Sequence, residues 1–240
     1  MPGLVVLGAR NLGGAILDRF LADGWDAAAI VRSQETAEAV RARGAVGIVA
    51  DVTDHGALQR ALDEARGAVG TIDAVVNAVS LAPFGPGVVW GGGPVADATP
   101  EAFEAWCAAT ARLCQSFLSL GARHLRSCGG GTLIQVSNAA SRHAIVGSGL
   151  WSAAQRAART LTQVAALELR AEGIHVCFLI AGAPIDSPKS RPRMEADGVP
   201  LEASLEMSAV ADAAAYVVSQ GARGQSYELD LTAERAGWIP

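Results

Sequence analysis

The stretch LVVLGARNLGG, residues 4–14, decides the fold of this chain. Its run of four apolar residues predicts a short buried strand, and the apolar spacing of Ile16, Leu17 and Phe20 predicts a helix directly after it. A glycine-rich turn between a strand and a helix lets backbone N–H groups and the helix N-terminus face a phosphate. The stretch therefore predicts the first strand–turn–helix unit of a parallel sheet, with an anion-binding turn at the sheet edge.

The same alternation of short β-branched runs and helical stretches continues along the chain. We expect strands at residues 4–7, 27–31, 46–50, 72–78, 132–137, 174–180 and 226–231. Helices are expected at 12–23, after Ser33, at 55–66, from Thr99 to about 126, at 150–171 and at 209–219, with Ser33 and Thr99 as N-caps. This order predicts an α/β fold, a doubly wound Rossmann-type fold in which a parallel sheet of about seven strands carries helices on both faces. No repeat or linker divides the sequence, so we expect a single domain over residues 1–240.

Composition excludes several classes of function. Charged residues make up 18% of the 240 residues and the net charge is −5, which argues against a nucleic-acid-binding protein. No apolar run reaches the roughly 18–20 residues that a membrane span needs, and the chain runs straight into a strand with no room for a signal peptide. The four cysteines show neither disulfide-framework nor metal-ligand spacing. We therefore expect a cytoplasmic protein with reduced thiols, no metal, no membrane partner and no nucleic-acid partner.

Further short motifs follow the ends of predicted strands, where open α/β sheets bind ligands. They are Arg32-Ser33, Asp51-Val52, Asn77-Ala78, and Ile185 with Ser187. Two segments, residues 80–98 and 181–208, also follow strand ends, are rich in proline, and show no regular periodicity. Connections of that length are usually functional or mobile.

Taken in order, these motifs resemble those of the short-chain dehydrogenase/reductase family, and the resemblance runs over the whole chain. The glycine pattern of the family places three glycines where this chain has Gly8, Leu12 and Gly14. Leu12 replaces the middle one, and Gly13 could be a one-residue shift of register. The resemblance implies that a nicotinamide dinucleotide binds at this turn, with Arg10 and Asn11 in the same loop.

The resemblance also assigns roles to the other motifs. Asp51-Val52 resembles the Asp–hydrophobic pair that meets the adenine, and Asn77-Ala78 partly matches the family's Asn-Asn-Ala-Gly. Ile185 and Ser187 match the positions whose backbone and hydroxyl meet the nicotinamide amide.

Arg32 bears on the choice of cofactor. An arginine at the end of the second strand can pair with the 2′-phosphate of NADP, which a carboxylate would repel. Arg10 can add a second positive contact. Arginine also commonly ends a strand in solvent without any ligand. Together the two arginines favour NADP(H) over NAD(H).

The reaction centre departs from the family pattern. The family spaces a serine, a tyrosine and a lysine as Asn138, Trp151 and Gln155 are spaced here, thirteen and then four residues apart. Indole donates a hydrogen bond but does not titrate usefully, and the glutamine adds no positive charge. The family's supporting asparagine falls at about Thr110. Tyrosine-dependent ketone reduction is therefore not expected.

Another residue could move protons in their place. His143 follows Asn138 by five residues and histidine titrates in the right range, although a loop histidine in solvent is the simpler interpretation. Trp90 could lie over a substrate or could merely anchor its loop.

Three functions fit these observations, and all concern a small-molecule substrate or a partner. The first is an NADPH-dependent reductase of an activated C=N, C=C or quinone-type substrate. The second is a non-redox cyclase, isomerase or dehydratase on the same scaffold, with Asn138 and the Trp151 N–H stabilising charge. The third is a non-catalytic binding protein. The resemblance implies a homodimer or homotetramer assembled through the helices at 99–126 and 150–171.

Overall fold

The computed structural model describes residues 1–83 and 87–234. Its strands in chain order are β1 (Gly3–Leu7), β2 (Asp26–Val31), β3 (Val46–Val49), β4 (Ala74–Asn77), β5 (Gly131–Asn138), β6 (Ile174–Ala181), β7 (Ile185–Asp186), β8 (Leu205–Glu206) and β9 (Glu228–Leu231). Seven of them form one parallel sheet in the order β3-β2-β1-β4-β5-β6-β9, while β7 and β8 pair separately. The seven strands expected from the sequence are confirmed.

The sheet grows outward from its middle in two directions. Leu7 at the end of β1 lies in register with Ile30 on β2 and with Asn77 on β4. The strand order reverses between β1 and β4, so a crevice opens there at the carboxyl ends of the strands. The glycine-rich turn lies at this crevice.

The helices are α1 (Leu12–Ala22), α2 (Gln34–Arg41), α3 (His55–Val69), α4 (Pro100–Phe103), α5 (Ala109–Cys128), α6 (Gly149–Leu169), α7 (Arg191–Ala196) and α8 (Met207–Ser219). Because side chains alternate along a strand, β1 feeds both faces of the sheet. Val5 and Leu7 pack with α3, α5 and α6, whereas Leu4 and Val6 pack with α1, α2 and α8. Helices therefore cover both faces, as the sequence predicts.

Local capping agrees with the sequence in two places. The Ser33 hydroxyl accepts from the Thr36 N–H at the start of α2, and the Thr99 hydroxyl accepts from the Ala102 N–H at the start of α4. These side chains satisfy N–H groups that have no partner within the first turn of a helix.

Two expectations need correction. The helix expected from Thr99 to about residue 126 contains a π-helical turn, Glu104–Ala108, between α4 and α5, and it ends at Cys128. The segment 181–208 holds β7, α7 and β8, although its sequence shows no periodicity. Elements of two to six residues are too short to produce a periodic pattern.

Candidate functional site

The glycine-rich turn is built by close contact of backbones. A Cβ atom added to Gly13 would lie 1.7 Å from the Gly8 carbonyl oxygen and 3.2 Å from Cβ of Ala78. The first turn of α1 therefore presses against both the turn and the end of β4. This geometry makes Gly13 the position where only glycine fits, which supports the one-residue shift of register and explains how Leu12 is tolerated. Leu12 itself packs against the core beneath α1.

The N-terminus of α1 points out of this turn. Asn11 is the N-cap residue but makes no side-chain capping hydrogen bond, so it leaves the first-turn N–H groups to other partners. Gly14 lies in the same turn, where an added Cβ would be 2.7 Å from the Ala9 carbonyl oxygen. A helix N-terminus with a narrow glycine approach is a favourable place for a phosphate.

Three cations gather beside the turn. Arg10 and Arg32 are exposed, as their sequence positions predict, and the structure adds Lys189 from the segment before α7. Burial lowers the pKa of Lys189, and the nearby Arg10 and Arg32 lower it further. The sequence motifs did not single out Lys189, because its approach to the arginines depends on the path of the chain after β6. Ser33 lies next to Arg32, with its hydroxyl engaged in the α2 cap.

Asp51 lies at the end of β3 and is exposed. Its carboxylate accepts from the Thr53 N–H at 2.9 Å and from the Thr53 hydroxyl at 2.7 Å. These hydrogen bonds hold the pKa of Asp51 below its usual value, with a smaller contribution from Arg32. Val52 is buried beside it. The pair thus combines a carboxylate held by hydrogen bonds with a buried apolar side chain.

Asn77 at the end of β4 is engaged within the protein. Its amide nitrogen donates to Gln135 Oε1 at 2.9 Å, and its Oδ1 accepts from the Val79 N–H at 3.2 Å. The side chain is buried and ties β4 to β5. Its contribution to the crevice is therefore to hold the strand ends in place, and Ala78 lines the crevice against Gly13.

Ile185 and Ser187 belong to a compact turn that opens the segment before α7. The Ser190 hydroxyl donates to the Ile185 carbonyl and lies 2.7 Å from the Ser187 hydroxyl. Ser187 is buried, and Ile185 pairs with Leu205 between β7 and β8. Asp186 forms an ion pair with Arg191. The turn fixes the backbone that carries Lys189.

The three replaced reaction-centre residues make different contacts. Gln155 on α6 is buried, and its Oε1 accepts from the Ser137 hydroxyl at 2.8 Å. Asn138 caps the turn after β5, where its Oδ1 accepts from the Ala140 N–H at 3.0 Å. Gln155 is therefore positioned by a serine that the family pattern does not include.

Trp151 belongs to a cluster of three indoles. Its ring centroid lies 6.0 Å from that of Trp106 and 5.9 Å from that of Trp90, and the Trp90 and Trp106 centroids are 5.4 Å apart. Trp106 and Trp151 expose only 4% and 7% of their surface, while Trp90 is half-buried. The buried apolar side chains that pack with them are Ala82, Cys107, Ala140, Leu150 and Ala154. We call these three tryptophans the indole cluster.

The indole cluster is assembled from three separate segments. Trp151 lies in the first turn of α6, Trp106 in the π-helical turn, and Trp90 in the loop after β4. That loop docks on the start of α6, because Gly93 pairs with Ser148 and an added Cβ on Gly91, whose φ is +72°, would lie 2.3 Å from the Ser148 hydroxyl. Trp90 therefore lies beside Trp151 in a loop that is anchored on α6. Residues 84–86 of this loop lie outside the described part of the chain.

Arg193 covers the outer side of the indole cluster. Its guanidinium carbon lies 4.6 Å from the Trp90 ring centroid, which is a cation–π distance. The contact joins α7 to the loop after β4, so the two long segments meet over the site.

The remaining sequence candidates lie apart from these contacts. Thr110 has a buried hydroxyl that finds no hydrogen-bond partner among the described residues. His143 is exposed, which agrees with the simpler interpretation of a loop histidine. It lies close to Asp230. Burial raises the pKa of Asp230, while Arg142, whose Nε lies 3.3 Å from Asp230 Oδ2, stabilises its charge. These charges tie the loop after β5 to β9.

A family model and a sequence relative match most of the chain. The sequence model of a family described as Enoyl-(Acyl carrier protein) reductase matches residues 6–228. A sorbitol dehydrogenase of Cereibacter sphaeroides is 27% identical over 183 residues, covering 75% of this chain and 68% of that protein.

Solved structures share the architecture. A 3-ketoacyl-(acyl-carrier-protein) reductase from Brucella melitensis, solved in complex with NADH, superposes with a TM-score of 0.83 at 20% identity over 98% of both chains. Levodione reductase superposes with a TM-score of 0.84 at 19% identity, covering 99% of this chain and 98% of that one. At these identities the likeness concerns the fold.

Two further features concern the surroundings of the protein. Within residues 1–83 and 87–234, no helix has the length and apolar character to cross a membrane. The same residues hold no group of three or more histidine, cysteine or acidic side chains placed to bind a metal ion.

Proposed function

Since the chain belongs to the short-chain dehydrogenase/reductase superfamily, a superfamily of oxidoreductases, we propose that it binds NADP(H) and reduces a small organic substrate without the tyrosine–lysine acid–base mechanism. The substrate class is an activated C=N, C=C or quinone-type group. The observation that carries this proposal is the gathering of Arg10, Arg32 and Lys189 beside the glycine turn.

The residues at the turn fit a dinucleotide with an additional phosphate. The backbone of Gly8 and Gly13 forms a cradle that a single Cβ would fill, and the uncapped start of α1 favours a pyrophosphate. Three cations in one place repel one another, and a phosphate dianion relieves that repulsion. Asp51 and Val52 would contact the adenine side, and Ile185 and Ser187 the nicotinamide side.

The reaction centre supports an unusual chemistry. Bound NADPH would supply a hydride. Gln155 keeps amide N–H groups with which it can bind a ribose hydroxyl, since its oxygen is taken by Ser137. Asn138 can hold a substrate, and Trp151 excludes water from the site without titrating. Substrates whose reduction needs a strong proton donor are therefore disfavoured.

Assembly is proposed on separate grounds. Val164 and Leu167 on α6 expose 45% and 70% of their surface, and apolar side chains on a helix face suit a second copy of the chain. We propose a homodimer or homotetramer through α5 and α6 in the cytoplasm. Leu167→Asp is expected to lower the molecular mass measured by light scattering, and an unchanged mass would argue against this interface.

Nucleotide titration tests the cofactor assignment. We expect calorimetry to give tighter binding of NADPH than of NADH, and we expect NADPH to be consumed stoichiometrically with an activated acceptor. Absence of binding by both nucleotides would overturn the proposal. A product of unchanged redox state, formed without NADPH consumption, would favour a cyclase, isomerase or dehydratase.

Restoring the family residues tests the reaction centre. The triple variant Asn138→Ser, Trp151→Tyr and Gln155→Lys is expected to gain ketone reduction with NADPH while it keeps the nucleotide affinity. A variant that folds and binds NADPH but reduces no ketone would mean that the substrate pocket, and not only the proton donors, has been rebuilt.

A further inference from the structure

The face of Trp90 already binds a cation. The Arg193 guanidinium lies 4.6 Å from the ring centroid, and tryptophan offers the most favourable aromatic face for a positive charge. Attraction between a cation and a ring is stronger where water is excluded, and the neighbouring indoles of Trp106 and Trp151 are buried. The indole cluster therefore has the chemistry of a cation-binding site.

Another cation can replace Arg193 on the Trp90 ring. Its side chain is 53% exposed, and it also forms an ion pair with Asp197, 3.2 Å between Nε and Oδ2. Leaving Trp90 would let Arg193 keep that partner, since Asp197 follows it by one helical turn. A small cation that enters the site can thus take the place of the guanidinium at low cost.

The residue at position 155 does not oppose a positive charge. Gln155 stands where the family pattern has a lysine, and its amide is neutral. Buried apolar side chains pack against the three indoles. The cations Arg10, Arg32 and Lys189 belong to the phosphate side of the crevice, where a bound nucleotide would neutralise them.

We propose that the indole cluster recognises a positively charged substrate, an iminium ion, which binds on the Trp90 face in place of Arg193. The reduction step rests on the proposed function, whereas the binding of a cation does not. Bound reduced nicotinamide would supply a hydride to the carbon of the C=N⁺ group, and the π electron pair would move to nitrogen. The products would be a neutral amine and oxidised nicotinamide. This reduction needs no proton donor. The proposal therefore accounts for Trp151 at the position where the family has its proton-donating tyrosine.

A matched pair of probes tests the recognition of charge without cofactor. Choline and its neutral carbon isostere 3,3-dimethylbutan-1-ol have nearly the same shape and differ in charge. We expect calorimetry on the cofactor-free protein to show binding of choline about 10-fold tighter than binding of the alcohol. Equal affinities, or no binding of either probe, would overturn the proposal.

Variants test whether the bound cation contacts Trp90. Trp90→Leu is expected to abolish the preference for choline, and Trp90→Phe, which keeps a ring, to retain part of it. Arg193→Gln removes the competing guanidinium and is expected to tighten choline binding about 3-fold to 10-fold. Trp25→Leu and Arg223→Gln are matched controls away from the cluster and are expected to leave it unchanged. A folded Trp90→Leu protein that still prefers choline would contradict the assignment.

Turnover separates this inference from the proposed function. With NADPH, protonated 2-methyl-1-pyrroline is expected to be reduced faster than its neutral analogue cyclopentanone by at least about 100-fold, because only the ketone needs a proton donor. If choline binds but NADPH does not, the proposed function fails and cation recognition stands. If NADPH binds and cyclopentanone is reduced equally well, cation recognition fails and the cofactor assignment stands.

Discussion

The two sides of the crevice differ in kind. The phosphate side, formed by the glycine turn with Arg10, Arg32 and Lys189, is exposed and charged. The reaction side, formed by the indole cluster and Gln155, is mostly buried and aromatic, with Arg193 over its outer side. Neighbouring cations favour the binding of an anion, whereas packed indoles stabilise the protein by themselves. The proposed binding of the nucleotide and the proposed chemistry on the substrate thus depend on two separate groups of residues.

The largest expected effect comes from the reaction side. Trp106→Ala removes a buried indole from the cluster and is expected to lower the free energy of unfolding by about 3–5 kcal/mol. Trp25→Ala, just before β2 and only partly buried, should cost clearly less. Urea unfolding of both variants measures the difference. Equal losses would show that the cluster is not specially important for stability.

The next effect concerns the phosphate side alone. Arg32→Gln removes one charge-assisted contact to the 2′-phosphate and is expected to weaken NADPH binding about 10-fold to 100-fold, with little change for NADH. Arg60→Gln changes the net charge equally on an exposed face of α3 and should leave both affinities unaltered. Calorimetric titration decides. A parallel loss for NADPH and NADH would place Arg32 at the shared part of the nucleotide.

Gly13 links the turn to the core beneath it. Gly13→Ala forces backbone movement, because the new Cβ would lie 1.7 Å from the Gly8 carbonyl oxygen, and should cost about 1–3 kcal/mol and weaken NADPH binding. Gly67→Ala provides the control, since an added Cβ meets no atom within 4 Å in α3 and should raise stability by about 0.4–1 kcal/mol. Thermal unfolding with and without NADPH measures both. A Gly13→Ala protein of unchanged stability would contradict the described packing.

The smallest effect is a pH dependence. Because the pKa of Lys189 is lowered in the folded state, the unfolded chain binds its proton more tightly, and stability rises as pH increases through the folded pKa. Lys189→Met is therefore expected to raise the melting temperature of the nucleotide-free protein slightly at pH 7, with the gain shrinking toward pH 10. The same variant should bind NADPH more weakly. A lower melting temperature at pH 7 would show that other contacts of Lys189 outweigh the repulsion.

Local sequence was sufficient for most of the fold. Apolar runs located the strands, and the caps at Ser33 and Thr99 could be read because the atoms involved lie three residues apart. The reaction centre could be described only by what it lacks. Trp90, Trp106 and Trp151 come together through a π-helical turn and a docked loop, and neither has a periodic pattern.

The polar contacts of the site were equally hidden. Ser137 binds Gln155 across 18 residues, and Lys189 approaches Arg10 from the other end of the chain. Each depends on how distant segments are placed by the sheet, which no window of sequence contains. The sequence did place Arg10 in the turn after the first strand and Arg32 at the end of the second.

Three indole rings with centroids 5.4–6.0 Å apart and interplanar angles of 56–86° are also close enough for their electronic transitions to couple. Coupled transitions at steep angles give rise to paired circular dichroism bands of opposite sign. A tryptophan outside the cluster, such as Trp25, does not contribute to these paired bands. The protein therefore carries an optical signal of its own at the reaction centre. Any molecule that moves Trp90 would change that signal without a label or a turnover assay.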